Sequence, residues 1–420
     1  MSGPLPPLPS ELWNHVFGYL SAEDKFSVRA SCKHFKRLVD HSFLWRDWAV
    51  VLAFRNGSYN SQFWATLRCR KVSSVVMRSS RAKDWKELAR SLPAVTTLVM
   101  DQSSPKSLDC LKDFPHLKRL CIRNSSAPLS LNASTVSKPE QLSHLSMCDV
   151  TLPIASVASV ISTVSHFQNL ISLVCHQMGL CEGTILMVHS ILGCLPKLKH
   201  LSLSVGYRPY AIHSVPRPNP GPLEGRASAL SSLELVDCMD HSLPADAMRL
   251  MPALNSLAVF YRDSHQETID KRSVCHLKMW LNDLVQLSTL VIVRGPSVEK
   301  YVSSIPATVT SLALCMVRLS SGDMAAVAAQ VPNLLHLHID PWPSHLGACT
   351  AQIPILFPKL KCLKLRHEHV PEKDFLQLHQ LQQLERMEIL DSRPHLCKIV
   401  GKLQALTNYR LEVTTTPRFM

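Results

Sequence analysis

A spacing of apolar residues, L-x-x-L-x-L with other apolar side chains substituting, recurs from Val72 almost to the C-terminus and restricts the fold more than any other feature of the chain. Val72-Val75-Met77, Leu117-Leu120-Ile122, Leu198-Leu201-Leu203, Leu230-Leu233-Leu235, Leu287-Leu290-Ile292 and Leu360-Leu363-Leu365 are among fourteen copies, the last being Leu406-Tyr409-Leu411. Their starts lie 22 to 33 residues apart and average about 26. Such a period fits stacked units, each one strand and one return segment, that bury their apolar faces only against neighbours.

The spacing has a mechanical reading. Strand side chains alternate, so the two apolar residues of x-L-x-L-x point into the stack and the x residues point out. Asp84–Leu92, Ala155–Phe167, Ile185–Leu195 and Met324–Val331 read as helices on the opposite, convex side. Six copies share an apolar-Pro-x-L lead-in, with Pro93, Pro115, Pro196, Pro252, Pro332 and Pro358 two residues before the signature. Proline ends the preceding helix and resets the chain for a strand.

Leu8 to Trp48 is different in kind. After the Leu8-Pro9 break, Ser10 is the expected N-cap, and Leu12, Val16, Phe17 and Leu20 make one apolar helical face. Ser21 caps a second helix, and Phe43-Leu44-Trp45 closes the segment. About forty residues bury only a small core, so a segment like this needs a partner. Leu8-Pro9-x-Glu11-Leu12, Val16-Phe17-x-x-Leu20, Asp24, Val28-Arg29-x-x-Cys32, Phe35 and Leu44-Trp45-Arg46 together resemble an F-box. Trp13, Phe26 and His34-Phe35 depart from its usual residues. The resemblance implies three helices docking on a Skp-type adaptor, which in turn binds a cullin and a RING subunit. It implies adaptor-binding roles for Leu8, Pro9, Leu12, Val16, Phe17, Leu20, Val28, Leu44 and Trp45.

With the repeats, the whole chain resembles the leucine-rich-repeat class of F-box proteins. Leu230-x-x-Leu233-x-Leu235-x-x-Cys238 matches the cysteine-containing subtype, in which the Cys packs inside the turn. The fold class expected is α/β: a three-helix F-box followed by a curved right-handed solenoid with a parallel concave sheet and a mainly helical convex side. The expected division is a Pro-rich start (1–7), the F-box (8–48), a linker and cap (49–71), the solenoid (72–413) with a Pro-rich insertion (205–228), and a tail (414–420). The function implied is substrate recognition for a Skp-cullin-F-box ubiquitin ligase. The protein itself would be non-catalytic and work by holding a protein substrate near the charged ubiquitin carrier. The alternative is a scaffold or basic nucleic-acid-associated binder using the F-box outside ubiquitin ligation.

Composition narrows these readings. The net charge of +13 would attract acidic proteins or phosphates. Its densest cluster, Arg68, Arg70, Lys71, Arg78, Arg81 and Lys83, reads either as a solvated basic face or as a dock for an acidic partner. No nucleic-acid-binding motif accompanies it, so nucleic acid is not an expected partner. Fourteen cysteines without C-x-x-C pairs and a start without a secretory pattern point to a reducing, cytoplasmic or nuclear compartment. No apolar run is long enough to cross a membrane, and no cofactor or metal is expected. His336-x-His338-x-Asp340 and His367-x-His369 could pair imidazoles on one strand face, a weak metal spacing in a chain with 20 histidines.

The outward positions give a candidate substrate surface. Arg119, Arg123, His144, His176 and His200 make the early repeats polar or basic. Val236, Ala258, Phe260, Val291, Val293, Ala313 and Cys315 are apolar, and His336, His338, Lys364 and Arg366 are polar again. An apolar patch on a water-facing sheet calls for a cover, which could be substrate, the Pro-rich insertion or the C-terminal tail, unless the repeat register has drifted.

Overall fold

A computed structural model describes residues 8–54, 57–78, 81–101, 108–125, 128, 130–154, 156–178, 184–205, 228–239, 242–262, 275–391 and 396–416. The chain divides into two compact units, Met1–Leu180 and Cys181–Met420. The first holds α1 (Ser10–Gly18), α2 (Ala22–Ser31), α3 (Lys33–Val39) and a 3-10 turn (Ser42–Trp45), then β1 (Ala49–Ala53), α4 (Ser61–Cys69), β2 (Ser74–Arg78) and α5 (Ala82–Ser91). It continues with β3 (Thr97–Asp101), β4 (Arg119–Ser125), β5 (His144–Val150), α6 (Val157–Val164) and β6 (Ser172–His176). The second holds α7 (Thr184–Cys194), β7 (His200–Ser204), β8 (Ser232–Cys238), β9 (Ser256–Tyr261), α8 (His276–Asp283), β10 (Thr289–Val293), β11 (Ser311–Cys315) and α9 (Ser321–Gln330). Its last elements are β12 (His336–Asp340), α10 (Ile353–Leu356), β13 (Cys362–Leu365), α11 (Glu372–Leu376), β14 (Arg386–Ile389), α12 (Leu396–Leu406) and β15 (Glu412–Thr415).

Within each unit, consecutive strands pair in parallel and in register, one strand per repeat. Val75, Leu98, Leu120, Leu145 and Leu173 stand side by side in the first. Leu201, Leu233, Leu257, Leu290, Leu312, Leu337, Leu363 and Met387 do so in the second. Every one of these side chains is buried. Parallel strands need a crossover between them, and the helices and 3-10 turns supply it.

The proline lead-in has a sharper role than ending a helix. The carbonyls of Leu92, Phe114, Leu195, Met251, Val331 and Phe357 accept the N–H three residues on, at 3.1 to 3.3 Å, so each proline stands second in a tight turn where its fixed φ is already correct. A second turn ends the strands. Asn124, Asp149, Gln177, Asp237, Arg294 and Met316 each lie two residues past the second buried strand position, with φ between 52° and 60°. Asn and Asp tolerate that left-handed conformation, which turns the chain off the sheet. Cys238, just past Asp237, is buried.

Three local expectations change. Pro9, not Ser10, is the N-cap of α1, and it makes no side-chain cap; Ser21 does cap α2, accepting the Asp24 N–H. The last repeat strand is not Leu406-Tyr409-Leu411. Leu406 ends α12, Tyr409 is exposed at a positive φ, and Val413 and Thr415 pair with Met387 and Ile389. A strand also precedes the first expected copy: β1 pairs along its whole length with β2, with Leu52 buried beside Met77. The Pro-rich insertion lies almost wholly outside the described residues (206–227).

Candidate functional site

The N-terminal helices sort their apolar residues into two sets. Phe17, Leu38, Val39, Leu44 and Trp45 form a buried core, with Trp13, Leu20, Val28 and Phe35 packed against it. The Trp13 and Phe35 rings lie 4.8 Å apart, and Phe17 meets Phe35 edge-on at 5.5 Å. The Trp45 indole N–H donates to the Val39 carbonyl. Away from this core stand Leu8, Leu12 and Val16, 43%, 51% and 47% exposed, with Pro9 and Tyr19 also exposed. Leu12 and Val16 are four apart in α1 and so share one stripe.

Arg70, at the C-terminal end of α4, ties these helices to the first repeat. Its guanidinium lies 3.9 Å over the Trp45 ring and donates to Asp40 Oδ1 from Nη2 at 2.7 Å and Nε at 2.9 Å. Arg29 Nε reaches both oxygens of the same carboxylate at 2.9 and 3.1 Å. Burial alone would raise the Asp40 pKa, but hydrogen bonds and charge from the two arginines hold it below the ordinary carboxylate range. Lys25 is buried beside Trp48 and Trp45, and that burial lowers its pKa.

The water-facing side of the second unit carries the other candidate surface. Val236, Ala258, Phe260, Val291 and Val293 stand half-buried at alternating outward positions of β8 to β10. Over β11 to β15 the face sinks into an open cavity of about 410 Å³, lined among others by Ala313, His336, His338, Lys364, Arg386, Glu388 and Glu412. Lys364 Nζ pairs with Glu388 Oε1 at 2.9 Å, and the Thr416 hydroxyl donates to the same oxygen at 2.7 Å. Burial opposes the Glu388 charge, but these bonds leave its pKa below normal. Burial, helped by the nearby Lys364 charge, pushes His338 down to about 4, while burial and Asp340 push the Cys315 thiol up to about 12. The Cys315 sulfur and His338 Nδ1 are 3.3 Å apart, yet both are neutral near pH 7, so Cys315 is not an activated thiolate.

A family model described as F-box-like matches residues 5–48. Residues 5–48 are thus an F-box-like segment, and the one-strand-per-repeat parallel sheet after it has a leucine-rich-repeat fold. None of the curated proteins matches it significantly. Among solved structures, it is similar to an internalin from Listeria monocytogenes, at 10% identity and a TM-score of 0.39 over 81% of this chain and 84% of that one. It is also similar to the leucine-rich repeat-containing protein LegL7 from Legionella pneumophila, at 14% identity and a TM-score of 0.44 over 74% of this chain and 98% of the other.

Several residues expected on the surfaces of the F-box-like segment and the repeats fall elsewhere. Phe17, Leu44 and Trp45 fill the F-box's own core, and Leu20 and Val28 lean on it, which leaves Leu8, Pro9, Leu12 and Val16 as the exposed group. Arg366 is buried, since β13 ends at Leu365 and the next residue turns in: it meets Glu368 at 3.0 Å and Asp340 at 3.6 Å, donates to the Pro341 carbonyl, and lies over Trp342. His336 and His338 do share the outward face, whereas His367 is buried against Phe375 and His369 is exposed. In the basic cluster, Arg70, Arg78 and Arg81 are paired with Asp40, Asp101 and Asp84. Sequence reasoning missed Asp40 as the hub of the junction, because nothing near it in the chain announces Arg70 thirty residues on. Among the described residues, no helix is long and apolar enough to cross a membrane, and no group of three His, Cys, Asp or Glu is placed to hold a metal.

Proposed function

We propose that the protein is a substrate-recognition adaptor of a Skp-cullin-F-box ubiquitin ligase. The F-box docks on the Skp-type adaptor through Leu8, Pro9, Leu12 and Val16, and the outward face of the second unit binds the protein to be ubiquitinated. The observation that carries this reading is the exposed apolar stripe on a domain whose core is already filled by other side chains. An unpaired stripe of that size on a helix calls for a covering partner. For the substrate, the half-buried Val236, Ala258, Phe260, Val291 and Val293 supply apolar area beside the charged, balanced pocket of His336, His338 and Lys364. No residue of this chain performs chemistry in this scheme; tethering raises the substrate's effective concentration at the ligase.

The alternative, a basic nucleic-acid-associated binder, loses support where half of the densest basic cluster is already paired with carboxylates, one of them shared with Arg123. Capture of Skp-type adaptor and cullin by the full-length chain, compared with Leu12→Asp/Val16→Asp, tests the proposal. Wild type is expected to recover both and the double variant neither. Equal recovery by the two would sink the F-box docking surface.

A further inference from the structure

The first unit's sheet has an outward face that the substrate reading does not use. Strand register places Arg78, Asp101 and Arg123 side by side on β2, β3 and β4. Asp101 is buried; it meets Arg78 Nε at 3.3 Å and Arg123 Nε at 3.2 Å, and accepts from Asn124 Nδ2 at 3.0 Å. Its charge is thereby matched, while the two guanidinium side chains remain 50% and 41% exposed. Neighbouring strands are about 4.8 Å apart, which sets the Arg78 and Arg123 backbones about 10 Å from each other. Arg119 lies four residues before Arg123 on the same face of β4, hence about 13 Å away on the opposite flank. It is exposed and pairs with no carboxylate among the described residues.

Between these flanks runs a row of small and apolar side chains: Val76, Val99 and Cys121 in register, and Val174 further along on β6. All four are half-buried. At the alternating outward positions of β1 to β6, three arginines stand against one aspartate, a net of two positive charges; Asp149 lies past the rows, at the left-handed end of β5. No Phe, Tyr or Trp occupies those positions, so nucleic-acid bases would find no stacking platform. An apolar trough with cationic flanks is complementary to a chain that carries apolar residues among carboxylates.

We propose that this face docks an extended acidic segment of a protein partner, its apolar residues over Val76, Val99 and Val174 and its Asp or Glu side chains against Arg78 and Arg123 on one flank and Arg119 on the other. Resting on the adaptor reading, this surface shares no residue with either surface used there, so it adds a docking face rather than relocating one. Asp101 keeps the two guanidiniums extended and spaced before anything binds, which reduces the ordering a ligand must impose.

The test is fluorescence anisotropy of the purified full-length protein with a labelled peptide of repeated Glu-Leu-Glu. Saturable binding that weakens from low to physiological ionic strength is expected. Arg119→Gln and Val99→Asp should each weaken it about tenfold, the loss of one charge-assisted contact or of apolar seating. Lys398→Gln, the same charge change on the exposed side of α12, should leave it within about twofold. Absence of saturable binding, equal loss in Lys398→Gln, or a single-stranded oligonucleotide that binds as tightly and loses as much in Arg119→Gln would each overturn the proposal. Arg119 makes no ion pair among the described residues, and circular dichroism of Arg119→Gln and Val99→Asp checks their fold. Capture of Skp-type adaptor, read on the same samples, should be unaffected in every variant; failure of wild type in that assay counts against the adaptor reading and leaves the peptide result standing.

Discussion

Arg70 and Asp40 meet at 2.7 Å across the boundary between the F-box and the first repeat, both with little access to water. The Trp45 ring closes the other side of the guanidinium. Removing Arg70 leaves the Asp40 carboxylate in a poorly solvated site with Arg29 alone, at a cost of up to about 3 kcal/mol. Arg70→Leu is therefore expected to lower the unfolding free energy read from urea titration by up to that amount, and Arg70→Leu/Asp40→Asn to recover part of it. A double-mutant cycle measures the coupling, and a value near zero would mean that the pair does not hold the junction.

The same site predicts an acid sensitivity. Arg29 and Arg70 keep the folded Asp40 pKa below its ordinary value, although burial acts the other way. With the folded pKa depressed, the unfolded chain takes up the proton first as pH falls. The stabilisation is thus complete above about pH 4, the ordinary aspartate range, and is lost as pH drops through the folded value. Urea unfolding across pH should show wild type losing stability more steeply than Asp40→Asn below about pH 4. Superimposable pH profiles would mean that Asp40 is not held ionised by its arginines.

Leu12 and Phe17 give opposite predictions from neighbouring turns of one helix. Phe17 is core, so Phe17→Ala should destabilise the F-box by about 4 kcal/mol and lower adaptor capture through unfolding. Leu12 is half exposed, so Leu12→Asp should change the thermal midpoint little while abolishing capture. Loss of capture that tracks stability in both variants would show that the exposed stripe is not the docking face.

That split shows what the sequence could and could not reveal. Helical spacing puts Val16, Phe17 and Leu20 near one side of α1, but only the position of α3 decides that Phe17 points at Phe35 while Val16 faces water. The repeats were legible wherever two strong apolar residues mark a strand. They failed at both ends, where β1 begins after Asp47 and β15 carries Val413 and Thr415 in place of large aliphatic residues. Arg366 falls at an outward position only when alternation is extended one step past Leu365, beyond the strand's last pairing. The Asp40 hub was hidden for a different reason, since a carboxylate's partners are set by tertiary approach and not by local spacing.

His338 should titrate far from an ordinary histidine. Burial and the Lys364 charge lower its pKa to about 4 from 6.5. The unfolded chain therefore binds the proton first, and this group's contribution to stability is full above about pH 6.5 and declines as pH falls toward 4. NMR of the imidazole should show a neutral ring at pH 6 with a midpoint near 4. Lys364→Met should move that midpoint upward, since it removes the neighbouring positive charge. A wild-type midpoint near 6.5 would mean that water reaches the ring and that the pocket is more open than its lining implies.

The substrate surface is tested by charge placed where the sheet is apolar. Phe260 and Val291 are outward and half-buried, on adjacent strands. Beneath them the buried ladder of Leu257, Val259, Leu290 and Ile292 does not depend on their side chains. Phe260→Asp/Val291→Asp should therefore leave the sheet folded, spare adaptor capture by the first unit's F-box, and reduce co-purification of proteins that accumulate when the proteasome is inhibited. Aspartates would remove apolar contact area and add two charges that an apolar ligand face must desolvate, enough to weaken binding about a hundredfold. Comparison by mass spectrometry with Lys398→Gln, a change on exposed α12, separates loss of the surface from loss of expression. Recovery of the same proteins in the same amounts by the double variant would remove the second unit's outward face from the proposed function while leaving the F-box stripe in place.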